Sequence, residues 1–466
     1  MQKLSLACKR YLYWWVLGLF VFIPLYPKFP LFSVGGTYVA IRVEDFLIAF
    51  VVLWWFLSVL PELKELIKKN LVQVFILFWA VGLLSLISGI FLTHTVSFTL
   101  GFFHYLRRIE TMILFLVAWS AFKEIGQVRL WLKIMLGVTI FVVAYGFGQQ
   151  WLSFPVISTT NREFSKGLIL FLSPEARVNS TFAGHYDLAA YLAFVLSFTS
   201  VLFFFIRNFF QKAALVLISF FEFVLLALTA ARVSFIAAIL AIAAGLILIG
   251  QKKMILLLVG VTLLGFIISP DLRHRTVATL TVNFLGGGGA KYVPPSPKPN
   301  ADPHKFSLEN AASGSASLSG VPIDVVPGEP LNSTELGVFR SYGIRLDVEW
   351  PRALRALAKN PLLGTGYSSI TIATDNDYLR SLGETGLLGT GALSLVFAVI
   401  IKKMLRVFKE KKSFEKYLII GLLTGLLTYF ITALFIDVLE SSKVAQLLWL
   451  TLGVAVATLK MEWQNG

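Results

Sequence analysis

Residues 213–250 read AALVLISFFEFVLLALTAARVSFIAAILAIAAGLILIG, a nearly unbroken apolar run. As one helix it would reach roughly 55 Å at 1.5 Å per residue, nearly twice the ~30 Å thickness of a bilayer's hydrocarbon core. The run must therefore fold back on itself. The turn is expected near Thr229–Val233, although neither Gly nor Pro marks it.

The rest of the chain repeats this theme at single-span length. The 466 residues are 57% hydrophobic and 14% charged, where a soluble chain carries about 25% charged residues. About twenty apolar residues cross a bilayer. That length places about twelve spans, near 11–27, 38–60, 71–93, 105–122, 130–152, 186–206, 213–230, 232–250, 254–270, 379–401, 416–436 and 440–459. The expected fold class is all-α: a polytopic membrane helix bundle with a large extracytoplasmic loop between the ninth and tenth spans. Its parts are 1–270 (nine spans), 271–378 (the loop) and 379–466 (three spans). The N-terminal MQKLSLACKR and the apolar stretch after it have the charge order of a signal sequence but no small-residue cleavage site, so they read as a retained first helix.

A net charge of +15 invites a nucleic-acid reading, but most Lys and Arg stand in short connections between apolar runs. PELKELIKKN, FKEIGQVRLWLK, IRNFFQK, GQKK and KKMLRVFKEKKSFEK all fall on one side, as the positive-inside rule requires of cytoplasmic loops. Both termini are then cytoplasmic, and nucleic acid is no expected partner. Arg107 and Arg108 break the pattern on the outer side, by interfacial snorkelling or for function. The single cysteine, Cys8, excludes an internal disulfide framework.

The outer loop 271–378 contains GGGG at 286–289, then PPSPKPNADP and AASGSASLSG, and 286–335 is expected to be mobile. Apolar periodicity returns at Leu346, Trp350, Leu354 and Leu357, which predicts an amphipathic helix over 340–360, closed by Asn360-Pro361 and a GTG turn.

Several charged residues on the outer side are candidates for chemistry. Arg232, inside an apolar run, either anchors the helix turn or meets an anion, and a guanidinium suits phosphate because its planar fork binds two oxygens. Arg345 in RLDVEW either pairs with Glu349 on a solvated face or joins it. Arg177 and His185 lie in RVNSTFAGHYDLAAYL, just before a span. Asp377, Arg380, Ser381 and Glu384 share one helical face, and Ser381 with Glu384 matches a capping box that would start the helix at Leu382. Capping then leaves Asp375 and Asn376 unexplained. A carboxylate near arginines in a partly buried site is a candidate general base. No histidine has a partner at metal-ligand spacing, and no nucleotide-binding loop or serine elbow appears.

With RVNSTFAGHYDLAAYL at 177–192, LTAARVSF at 228–235, RLDVEW and NPLLGTGY within 345–367, and DNDYLRSLGETGLLG at 375–389, the chain resembles the O-antigen ligase and polysaccharide polymerase superfamily, membrane enzymes related to GT-C glycosyltransferases. The resemblance implies an inverting glycosyltransferase of the bacterial cytoplasmic membrane that uses neither metal nor other cofactor. Its donor would be a glycan linked to undecaprenyl diphosphate, and its acceptor a hydroxyl on a glycan, lipid or protein outside that membrane. It implies that Arg232 and Arg345 bind the donor diphosphate and that Asp375 orients or deprotonates the acceptor hydroxyl. Arg177, His185, Asn376, Tyr378, Arg380 and Glu384 would contact substrate. Asp375 stands where ligases commonly carry His, and DN-x-YL is the form of polymerase-type members. Membrane lipids are partners throughout, and a chain-length regulator or a flippase would be the protein partner. The alternatives are an O-antigen ligase or protein O-oligosaccharyltransferase and, in a different class, a polysaccharide transporter or flippase.

Overall fold

The structure, a computed structural model, describes residues 2–33, 40–157, 169–170, 172, 177–281, 339–370, 374–406, 414–459 and 461. The chain divides into two compact units, Met1–Leu272 with Arg352–Gly466, and Arg273–Pro351.

The first unit is a helix bundle. Each of the twelve apolar segments is occupied by a helix, and the elements follow the periodicity of the sequence to within a few residues. Among the described residues, eight helices are long and apolar enough to cross a bilayer, or nine if Met254–Ile268 and Pro270–Thr279 form one broken span. Arg232–Leu248 and Ser442–Thr458 are apolar but shorter, while Phe98–Ala121 carries Arg107, Arg108 and Glu110. The chain is thus a multi-pass, all-α membrane protein.

The long run breaks where length demands it. One helix ends at Leu228 and the next begins at Arg232. Ala230 takes up the turn with φ of 51°, and the Thr229 hydroxyl accepts the Ala231 N–H at 3.3 Å. A left-handed alanine costs roughly 1–2 kcal/mol, so this turn is held by its surroundings rather than by local preference.

Packing follows the logic of helices in lipid, where small residues let backbones approach. Phe414–Thr432 packs against His185–Leu202, with Gly421 and Gly425 against Phe198 and Phe194. The last helix, Ser442–Thr458, packs against Phe98–Ala121, and Gly453 sits under the Phe115 carbonyl. Asp377–Leu405 lies along Asn70–Phe91. Two short antiparallel hairpins, Pro30–Ser33 with Ala40–Arg42 and Val156–Ile157 with Ile169–Leu170, complete the unit.

In the second unit, the π-helical stretch Phe339–Glu349 contains Arg345, which is buried. The helix Trp350–Lys359 follows in chain order and ends one residue before Asn360-Pro361. Leu346, in the second unit, and Leu354, which belongs with the first, are each exposed. The Gly-, Ser- and Pro-rich segment 286–335 lies outside the described residues.

Candidate functional site

The opening of the helix Asp377–Leu405 buries a cluster of polar and charged side chains: Asn376, Asp377, Arg380 and Glu384. Its N-cap is Asn376, whose Oδ1 accepts the Leu379 N–H at 2.9 Å. The capping box expected at Ser381 and Glu384 is therefore not the start of this helix; both residues lie inside it. Asn is among the best N-caps, and here its own position is held from outside. Its N–H donates to Asp437 Oδ1 at 3.1 Å, and its amide Nδ2 donates to the Leu434 carbonyl at 3.1 Å.

Asp437 is the hub of this knot. Besides Asn376 it accepts the Thr374 N–H at 3.0 Å and an Arg380 guanidinium N–H at 3.0 Å. Arg380, itself buried, also lies 3.9 Å from Glu384. Asp377 accepts the Leu439 N–H at 2.9 Å, and Tyr378 donates its hydroxyl to the Phe430 carbonyl at 2.9 Å. Asp375, half-buried with φ of 49°, stands within electrostatic reach of Arg380. Aspartate tolerates that left-handed backbone better than most residues.

The NPLLGTGY segment explains the kink one turn further on. Thr365 and Gly366 donate their N–H groups to the Gly383 and Glu384 carbonyls, and Leu387 and Leu388 donate back to Pro361 and Leu362, all within 2.9–3.1 Å. The two backbones run so close that a Cβ on Gly364 would lie 2.5 Å from the Glu384 carbonyl, and one on Gly386 would lie 2.4 Å from the Leu362 oxygen. Gly386 also has φ of 65°. Only glycine fits at both. The Glu384 carboxylate accepts the Ser368 N–H at 3.0 Å, so it too is part of this joint.

Arg107 and Arg108 join the same end of the bundle. Arg107 pairs with Asp45 at 2.5 Å and with Glu110 at 2.9 Å. Arg108 pairs with Glu440 and donates to the Leu439 carbonyl at 3.1 Å. Both guanidinium groups are thus answered by protein carboxylates. On the same helical face, the buried Nε2 of His104 has no hydrogen-bond partner among the described residues, and Arg107, Arg108 and Arg380 are its charged neighbours.

A second charged cluster adjoins the first. Arg177 Nη1 and His185 Nε2 meet at 2.5 Å. Asp187 accepts the Ser441 hydroxyl at 2.7 Å and lies 3.9 Å from the buried Lys28. Burial, opposed in part by Asp187, brings the Lys28 ammonium down to about 8. Lys443, also buried, donates to the carbonyls of Tyr26 at 2.6 Å and Thr181 at 2.8 Å. The stretch 437–443 therefore holds both clusters: Asp437 and Glu440 reach one, Ser441 and Lys443 the other.

Leu225, one turn before the 229–231 break, and Val178, next to Arg177, both abut Gly146. The Ser441–Asp187 bond then ties the start of His185–Leu202 to the 437–443 stretch. Arg177 thus meets His185; Asp375, Asn376, Tyr378, Arg380 and Glu384 stand along the opening of Asp377–Leu405; and Arg232 opens its own helix just after the 229–231 break. Arg345 belongs to the second unit. Sequence reasoning missed Asp437, Lys443, Lys28 and His104; the available signals were the density of charge in IDVLESSK, for Asp437 and Lys443, and the i, i+3, i+4 spacing in HYLRR, for His104.

Fold and site together define a multi-pass helical membrane protein with a charged, buried polar knot at one end of its bundle. No protein-family model matches the chain, and no curated protein matches it either.

Proposed function

We propose that the chain is a membrane glycosyltransferase that uses a polyprenyl-diphosphate-linked glycan as donor, in the manner of an O-antigen or polysaccharide polymerase. What supports this reading is the buried polar knot of Asn376, Arg380, Glu384 and Asp437 at the opening of Asp377–Leu405, with Asp375 within electrostatic reach of Arg380. Diphosphate leaves readily once its charge is neutralised, and preorganised guanidinium groups in a dry site supply that stabilisation. Arg232 opens its helix directly after the strained turn at Ala230. Such strain persists where the surrounding structure over-determines it, which suits a residue held for function.

In this reading the bundle crosses the membrane about twelve times with both termini in the cytoplasm, and the polar knot faces the outside. Arg232 holds the diphosphate. The acceptor hydroxyl attacks the anomeric carbon from the face opposite the leaving group, the C–O bond to diphosphate breaks with its electron pair, and the configuration inverts. Asp375 orients the hydroxyl or takes its proton. Asn376, Tyr378 and Glu384 serve mainly to hold that loop, since each is committed to a backbone partner.

The deciding experiment uses purified full-length protein and an undecaprenyl-diphosphate oligosaccharide, scored for polymer and for released lipid diphosphate. Arg232→Ala should lose at least about 100-fold in rate, the scale of removing one oriented donor, with thermal stability unchanged. Full polymer formation by a folded Arg232→Ala protein would remove the diphosphate role. Attachment to a separate acceptor without chain growth would turn the reading to a ligase.

A further inference from the structure

At the opposite end of the bundle lies a cavity of about 200 Å³ between the start of Asn70–Phe91 and the last turns of Phe98–Ala121 and Ser442–Thr458. That is more than ten times the ~10–15 Å³ a single water needs. Its walls are of two kinds. Leu66, Phe122 and Met461 form an apolar side, while Lys69 and Lys123 bring two ammonium groups to the other.

Neither lysine forms an ion pair with a carboxylate among the described residues, although Glu62 stands within electrostatic reach of both. The nearby acids are already committed: Glu62 to Lys9 at 2.6 Å and Glu65 to Lys68 at 2.8 Å. Lys69 is held over the Trp119 ring, 5.2 Å from its centroid, which fixes its ammonium at the cavity wall. Partial desolvation and the like charges of Lys69 and Lys9, opposed in part by Glu62, push the half-open Lys123 ammonium below the usual lysine range, a crowding that a bound anion would relieve. The helix beginning at Asn70 has no side-chain cap, so its first amides add positive potential on the same side. Lys123 also stands just past the carbonyl end of Phe98–Ala121, where part of its charge offsets that dipole.

We propose that this cavity binds the phosphate group of an anionic membrane lipid, with Lys69 and Lys123 on the phosphate and the apolar wall against the glycerol and upper acyl carbons. The phosphate chemistry alone would also fit free inorganic phosphate. The lipid source is favoured because the cavity lies at the ends of apolar helices, beside the short connections that carry the excess of basic residues. The inference is independent of the chemistry at the other end.

The test is native mass spectrometry of the delipidated full chain in detergent, incubated with dioleoyl phosphatidylglycerol or, separately, dioleoyl phosphatidylcholine. Phosphatidylglycerol should be retained in preference. The Lys69→Ala/Lys123→Ala protein should bind it about 30-fold more weakly, about fivefold per lysine at a membrane surface, while Lys69→Arg/Lys123→Arg retains most of the affinity. A thermal melt of each variant reports folding, and the charge-retaining pair separates lost charge from lost packing. Equal retention of the two lipids, or unchanged phosphatidylglycerol binding in the alanine pair, would overturn the proposal. Displacement of the lipid by 10 mM inorganic phosphate, a concentration set at roughly the scale of weak single-phosphate sites, would reassign the cavity to a soluble anion.

Discussion

If Asp437 organises the polar knot, its loss and the loss of Arg380 must be strongly coupled. The Asp437 carboxylate accepts two backbone N–H groups, at 3.0 and 3.1 Å, and one guanidinium N–H at 3.0 Å. Asp437→Ala strands two amides at about 1 kcal/mol each. It also leaves a buried guanidinium with a weaker partner, for about 3 kcal/mol, the low end of broken buried pairs because Glu384 remains 3.9 Å away. The single variant should cost about 5 kcal/mol. Arg380→Ala should cost about 3 kcal/mol, since Asp437 keeps its two amides. The double variant should cost about 5 kcal/mol rather than the additive 8 kcal/mol, because with the cation gone only the stranded amides and the lost packing remain. The assay is unfolding of detergent-solubilised protein by sodium dodecyl sulfate, followed by tryptophan fluorescence. Additivity within about 0.5 kcal/mol would show that the two side chains do not share an interaction, and the hub would be a coincidence of geometry.

Three further outcomes follow from the same structure. Asn376→Ala should destabilise by about 1–2 kcal/mol and Asn376→Ser by less, because serine can still cap the helix; equal melting temperatures for the two would argue against the cap. Gly386→Ala should be severely destabilising, because its Cβ would meet the Leu362 oxygen at 2.4 Å, whereas Gly391→Ala in the same helix, with nothing within 4 Å, should be neutral or gain up to about 1 kcal/mol; tolerance at Gly386 would mean the paired backbones separate easily. Lys28, brought to about 8 from the usual 10.5, binds fewer protons folded than unfolded between those values, so stability should rise with pH across that window, by up to about 3 kcal/mol. That rise should be absent in Lys28→Met, and a parallel pH profile for the two proteins would show that Lys28 is not the buried cation.

Helices and breaks were legible because their causes are local or set by bilayer thickness. The run 213–250 is too long for one crossing, and the break at Thr229–Ala231 falls where the length argument placed it, despite having no glycine. Asn360-Pro361 ended the helix for equally local reasons. The candidate residues at 375–384 were legible as a cluster, but their roles were not. Ser381 and Glu384 satisfy a capping pattern by spacing alone, yet Asn376 wins because Asp437, sixty-one residues away in sequence, already holds its N–H. No local rule can see that bond. The same reason hid Lys443, whose partners are the carbonyls of Tyr26 and Thr181, and the partners of Arg108, which lie at 439–440. In a bundle surrounded by lipid a buried polar group cannot turn to water, so its complement usually comes from a distant part of the chain. Spacing along the chain therefore reveals one member of each pair and conceals the other. That is why a short connection such as IDVLESSK, with no periodicity and no motif of its own, holds together more of this site than the sequence features that first drew attention to it.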